Sequence, residues 1–551
     1  MNRILLMFAT FFMAIGCYAE TKTFTIDGLK FNVEIGTDAS LVANNYSGEI
    51  VVPEKFKAED VEYTVTSFAD GCFKDCSGVT SIQIPSSVKS LGNSCFSGCS
   101  GLTSLSVPSS VTYIGQSCFQ GCKNLTSITL PESITSISAW CFEYCSSLTN
   151  ITIPSSVTSL DESCFAGCSN LSSVDIPESV TSLGRYCFHN CSSLQHITIP
   201  KSVTSIDESC FYYSGLTEIA IPSSVTSLST ACFYGCSNLK SVTIPESVTS
   251  IGLACFYECS SLTNISIPSS VTSIGESCFY GCSGLTSISI PESITSLGGN
   301  CFYGCSGLTN VYIPSSVTSI GESCFYGCSG LTNISIPESV TSIGGSCFSG
   351  CSGLTSISIP ESITSLGNFC FSGCSGLTSI SIPESVTSIG NYCFRDCSGL
   401  TSISIPESVT SIGENCFDGC SNLTEITCQA TTPPAASQAF NNFDTSTCIL
   451  YVPDVDTYKA ADGWKDFKNI YKIGDTPTGI GQAKTQGISV SAGDGMVSLY
   501  GLEDGEQVLF YSADGKLLGR QIAQDGNANL STSEKIVLCK IRNSCIKVAV
   551  K

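Results

Sequence analysis

The chain has 551 residues, of which 42% are hydrophobic and only 13% charged, with a formal net charge of −22. That apolar share supports a large buried core, and the acidic excess repels phosphate backbones and argues against nucleic-acid binding. Cysteine is abundant, at 36 residues, and histidine scarce, at two, so chemistry that relies on histidine has little to draw on.

The opening stretch, "MNRILLMFATFFMAIGCYAE", puts Arg3 before an apolar run from Ile4 to Ile15 and the small residue Ala19 before Glu20. That is the layout of a signal peptide over residues 1–19. "AIGC" also has the form of a lipoprotein box, so both cleavage after Ala19 and lipid attachment at Cys17 fit these residues. No later run approaches the ~18 apolar residues that a spanning helix requires, so the mature chain is expected to be exported without a transmembrane span. Residues 20–70 read as an N-terminal cap, with a hairpin turn at Asp27-Gly28 inside "FTIDGLKFNVEI".

From Cys72 to Cys416 a Cys-Phe unit recurs in 16 copies, 23 residues apart. One step, Cys210 to Cys232, is 22, and there "CFYYSGL" stands where other copies have "CFYGCSGL". A fixed period of this size predicts a solenoid over residues 71–420, in which no coil buries its apolar edge without its neighbours. Within one copy, Ile288 and Ile290 alternate with Ser289, the pattern of a strand, and Pro291 ends it. Ile294 and Leu297 point inward before Gly298. "CFYGC" at 301–305 predicts a helical turn with Cys301, Phe302 and Cys305 facing the core and Tyr303 facing out. Sixteen coils at the ~4.8 Å strand spacing make a rod roughly 75 Å long.

Residues 421–475 leave the period and are expected to close the stack as a C-terminal cap. Residues 476–487, made of Gly, Pro and small polar residues, read as a linker. Residues 488–551 alternate strand-like runs with Asp-Gly turns and predict a small β-sandwich.

The repeats hold 31 of the cysteines, 16 in the first position of Cys-x-x-x-Cys and 15 in the second. Two cysteines on one face of a turn are about 6 Å apart at Cα without a good S–S torsion, and in-register cysteines of adjacent coils have parallel Cβ vectors. The expectation is a ladder of reduced thiols acting as small buried hydrophobes, with no metal in so dry an interior. Cys428 with Cys448 and Cys539 with Cys545 are candidate disulfides. His189 and His196 fall in one repeat with no nucleophile elbow, Gly-rich phosphate loop or HExxH around them, so neither an enzyme nor a cofactor is expected.

The outward positions carry the candidate contacts. The residue after Cys-Phe is tyrosine in six consecutive copies, Tyr212, Tyr234, Tyr257, Tyr280, Tyr303 and Tyr326. Stacked, they would form an aromatic stripe suited to protein or sugar contacts, although copying of repeats also explains their identity. Glu338, Glu361, Glu384 and Glu407 follow the strand-ending proline in four consecutive copies. They read as a solvated face, with a bridging cation as the weaker alternative. Ser266, Ser289, Ser335, Ser358, Ser381 and Ser404 form a row expected to hydrogen-bond along the stack.

The unit C-F-x-x-C-S-x-L-T-x-I-x-I-P-x-S-V-T-S-I-G resembles the BspA-like branch of leucine-rich repeats over roughly residues 60–430, with Cys278-Phe279 where that family has Ala-Phe. The resemblance implies a β-rich leucine-rich repeat solenoid of 23-residue coils on a bacterial surface, adhering to host matrix or mucosal glycoproteins or to other cells. The tail, through Gly501-Leu502, Asp514-Gly515-Lys516 and the closing "IKVAVK", is similar to the sorting domain of the type IX secretion system. That implies contact with the secretion machinery through residues 488–551 and display at the outer-membrane surface or release. A surface glycan-binding protein and a passive spacer without a specific ligand are the alternatives to an adhesin.

Overall fold

Alternation of isoleucine with serine builds the first rung of every coil. In the computed structural model, which describes residues 21–34, 36–475, 488–493, 495–513, 515–541 and 544–550, Ser287–Ser289 is a strand with Ile288 buried between two exposed serines. It pairs in parallel with Asn310–Tyr312, Ile288 opposite Val311, a shift of one period. A second rung follows the proline turn, where Ser296–Leu297 pairs in parallel with Ser319–Ile320.

The third rung is the Cys-Phe turn, and here the predicted helical turn is corrected. The backbone closes two overlapping four-residue turns, Tyr280 N–H to Ser277 O at 3.1 Å and Cys282 N–H to Phe279 O at 3.2 Å. Ser277 and Gly281 both have positive φ, 55° and 69°, which no α-helix accommodates. The freed amides donate to the neighbouring coil instead, Phe279 N–H to Cys301 O at 2.9 Å and Gly281 N–H to Tyr303 O at 2.7 Å. The side chains still point as predicted, with Cys301, Phe302 and Cys305 buried and Tyr303 half-buried at the surface.

These rungs enclose one continuous core from the N-terminal hairpin to Ile470. Its spine is a phenylalanine ladder from Phe73 to Phe440, with ring centroids 5.1–5.9 Å apart and planes within 13° of parallel. The repeat cysteines flank it as buried thiols without disulfides. First-position thiols stack on one another, with Cys164 Sγ 3.4 Å from Cys187 Sγ. From Cys99 to Cys420, second-position thiols donate to the phenylalanine carbonyl of the preceding coil at 3.0–3.2 Å. Burial disfavours the thiolate and pushes the pKa of first-position Cys301 and Cys370, and of the second-position donor Cys351, up to about 12. The ladder is therefore held protonated, which is the form that donates. Ser and Thr rows do hydrogen-bond along the stack, but mostly through other serines than those named, of which Ser404 accepts from Gln429 Nε2 at 3.1 Å. Thr318 Oγ1 donates to Thr295 O at 3.2 Å and Ser316 Oγ to Ile294 O at 2.7 Å, whereas Ser289 and Ser335 are exposed on the first rung.

Both ends of the stack continue the rungs before closing them. The hairpin Lys22–Ile26 with Leu29–Val33 turns through Asp27 and Gly28, both at positive φ. Gly48–Val51 starts the first rung against Val79–Gln83, and Val61–Phe68 starts the second against Ser90–Leu91. At the other end Glu425–Cys428, Ile449–Val452 and Asn469–Lys472 extend the first rung. Fully buried Trp464 then covers Phe440, with ring centroids 5.0 Å apart, and its Nε1–H donates to Pro434 O at 2.8 Å. Tyr458, on the short helix Val455–Ala460, packs against Trp464 and donates its hydroxyl to Ala430 O at 2.8 Å.

The tail has a core of its own, including Val497, Leu499, Val508, Phe510 and Val537. Ser489–Gly493, Met496–Tyr500 and Asn527–Ser531 form one antiparallel sheet. Leu517–Ile522, Gln507–Ser512, Ile536–Ile541 and Ser544–Ala549 form another. The expected signal peptide at 1–19 and the expected linker at 476–487 lie outside the described residues, and among the described residues no helix is long and apolar enough to cross a membrane.

Candidate interaction surface

The turn rung sets the geometry of the tyrosines. Because successive coils are tied at this rung, the six rings stack with centroids 4.3–4.6 Å apart and planes within 9° of parallel. Each ring is half-buried. The stack thus covers ring faces against ring faces and presents edges and hydroxyls to solvent. Burial raises the phenol pKa of Tyr212, Tyr234, Tyr257, Tyr280 and Tyr303. At the first end, His189 and Tyr213 pack edge-on to Tyr212, with centroids 5.1 and 4.8 Å away. Tyr213 stands where most copies have the turn glycine, at φ 52°, and is exposed. Sequence reasoning did not single it out, although the missing glycine in "CFYYSGL" was visible. At the far end the row stops because the next coil carries Ser349.

The other candidates do not converge. Glu338, Glu361, Glu384 and Glu407 are all exposed, and among the described residues no group of three or more His, Cys, Asp or Glu side chains is placed to hold a metal ion. The proposed Cys428–Cys448 disulfide is absent, and both are buried thiols. The register Thr427↔Tyr451 puts Cys428 level with Val452, four residues along the strand from Cys448. That is about 13 Å, beyond the reach of a disulfide. In the tail, Cys539 pairs across the sheet with Ile546 and Cys545 with Lys540; the side chain of Cys545 lies outside the described residues. The two histidines are apart in role. His189 packs on Tyr212 in the turn rung, and burial lowers its pKa. His196 is on the first-rung face, with Nδ1 3.5 Å from Glu218 Oε1. An open trough runs beside that pair, bordered by Asp175, Thr198 and Glu218.

Short parallel strands on two rungs, a turn on the third and stacked coils of 23 residues define a leucine-rich repeat solenoid. The chain belongs to the BspA type leucine rich repeat family: the model of the BspA type Leucine rich repeat region (6 copies) matches residues 54–172, 158–283, 204–332, 249–368 and 318–447. Among solved structures, the chain is similar to a leucine-rich repeat protein from Bacteroides ovatus, with 28% identity and a TM-score of 0.55, over 78% of this chain and 100% of the other. It also matches a leucine rich cell surface protein from Faecalibacterium prausnitzii, at 27% identity and a TM-score of 0.35, over 74% and 94% of the two chains. The pneumococcal vaccine antigen PcpA matches at 18% identity and a TM-score of 0.36, over 82% and 98%. No curated protein sequence matches the chain.

Proposed function

We propose that this protein is a non-enzymatic, exported surface rod that binds host matrix or mucosal proteins, or other cells, through many shallow contacts. The observation that carries the reading is the row of Tyr212, Tyr234, Tyr257, Tyr280, Tyr303 and Tyr326, equivalent groups repeated at 4.3–4.6 Å on a stiff stack. Equivalent weak sites add by avidity without new chemistry at any one of them. A row of phenol edges and hydroxyls suits a protein surface, which offers backbone carbonyls and apolar side chains together. It suits a sugar less, because the ring faces on which a pyranose would lie are already stacked on each other. The leader-like residues 1–19 and the sorting-domain resemblance of residues 488–551 support export and a place at the outer-membrane surface or outside the cell.

The test is solid-phase binding of the mature chain to matrix proteins, mucin, a glycan array and bacterial cells. Saturable binding to protein that falls about ten-fold or more when Tyr257, Tyr280 and Tyr303 are all changed to alanine is the expected result. Binding to glycans alone would make it a glycan-capture protein, and binding to none of these would leave a spacer.

A further inference from the structure

Serine, threonine and asparagine fill the outward positions of the first rung almost without interruption. Between residues 80 and 408 the charged side chains on its strands are Asp175 and Glu218, with His196 on the unpaired segment between them and Lys240 just before the strand Ser241–Thr243 of the next coil. These coils contain the 22-residue step, where one residue is missing from the turn that leads into Glu218–Ala220. The coil before that step is irregular on this rung. Residues 195–197 form no strand, and the rung is carried there by the bridge Asp175↔Thr198. Ile197 is only partly buried, whereas its equivalents in neighbouring coils, Val174 and Ile219, are 5% and 4% exposed. Ser202, in the same coil, has a buried hydroxyl without a partner, where Ser179 and Ser224 donate to the coil before them. The trough lies at this irregularity, with Asp175 at one side, Glu218 and His196 at the other, and Ile197, Thr198 and Ala220 between them.

We propose that the trough is a binding site for a basic side chain, arginine or lysine, presented by an extended segment of a partner protein. Two carboxylates two coils apart flank it, and no lysine or arginine is in its lining; Lys240 stands outside it, one coil further on. The half-buried Ile197 and the small Ala220 offer an apolar floor for a methylene stem, while the charged head meets carboxylates at the rim. The net charge of −22 steers a basic segment toward the molecule, and an otherwise uncharged rung leaves this as the place on that face where it would stop. His196 and Glu218 are both largely exposed, so the head group stays near water and a single contact is weak. The site deepens the binding role proposed above by naming one contact and its chemistry.

The test is calorimetric titration of the mature full-length protein, at low ionic strength, with a short Ser/Thr peptide carrying one central arginine. The same peptide with citrulline, which is neutral and of the same shape, is the comparison. The arginine peptide is expected to bind about ten-fold more tightly, and Asp175→Asn with Glu218→Gln is expected to abolish the difference. Glu361→Gln with Glu384→Gln, the same change of charge on exposed residues elsewhere, should leave it intact. Equal binding of both peptides, or binding undiminished in the first variant, or binding weakened as much in the second, would overturn the site. Matrix or cell adhesion that survives Asp175→Asn with Glu218→Gln removes this site and leaves the adhesive role. Peptide binding that persists in a chain without adhesion does the reverse.

Discussion

The coils that carry Tyr257, Tyr280 and Tyr303 and those that carry Asp175, His196 and Glu218 share one plan and differ in how closely they keep it. In the first group every residue finds its equivalent 23 positions away, so like stacks on like and the surface is smooth, with ring faces closed against each other. In the second, beside the 22-residue step, residues 195–197 form no strand, Ile197 is only partly buried and a trough lies on the first rung. Exact repetition thus supplies length, stiffness and multiplicity, and the departure from it supplies concavity and local charge.

The comparison breaks first at the spine. Phe279→Ala removes a fully buried ring from between Phe256 and Phe302 and should cost about 3–5 kcal/mol, read as a lower urea midpoint. A loss below about 1 kcal/mol would mean that the ladder packs loosely. Inserting a serine between Ser214 and Gly215 restores the 23-residue step. It should slow amide exchange at 195–198 by about ten-fold as the strand re-forms, and should erase the preference for the arginine peptide; unchanged exchange would detach the trough from the missing residue.

In the tyrosine row, Tyr280→Ala removes two ring contacts and should cost about 1–3 kcal/mol, while Tyr280→Phe should cost little. An equal loss from both would place the value in the hydroxyl rather than the stack. The thiols give a pH test. Their pKa is raised on folding, to about 12 at Cys301 and Cys370, against about 8.5 when unfolded. The stability they contribute is therefore complete below about pH 8 and is lost as pH rises toward 12, so the urea midpoint should fall on the alkaline side. Alkaline midpoints equal to those at neutral pH would show that the thiols are not buried as described. The smallest effect is expected at the glutamates, where Glu361→Gln with Glu384→Gln should shift stability by no more than about 0.5 kcal/mol. Millimolar calcium should leave the melting temperature unchanged; a calcium-dependent rise lost in that variant would restore the glutamate row as a cation site.

Much of this molecule was legible because stacked coils turn sequence period into spatial contact. Residues 23 apart are neighbours, so the alternation at Ile288 and Ile290, the stop at Pro291 and the inward Cys-Phe pair could be read without a structure. What local pattern could not reveal was backbone hand and register. The spacing of Cys-x-x-x-Cys matches a helical turn, yet left-handed residues at Ser277 and Gly281 turn the amides to the next coil. Cys428 and Cys448 look like partners until the strand register separates them. The tyrosines could be placed on one face, but only the coil-to-coil bonds decided that their rings lie flat on each other. The 22-residue step was plain in the sequence; that a trough on another rung is lined by Asp175, His196 and Glu218 from three coils is seen only in the stacked structure. Sequence by itself thus determined the repeat and its core, because those follow from side chains meeting their own copies. The tertiary structure alone decided which faces are closed and where one is open.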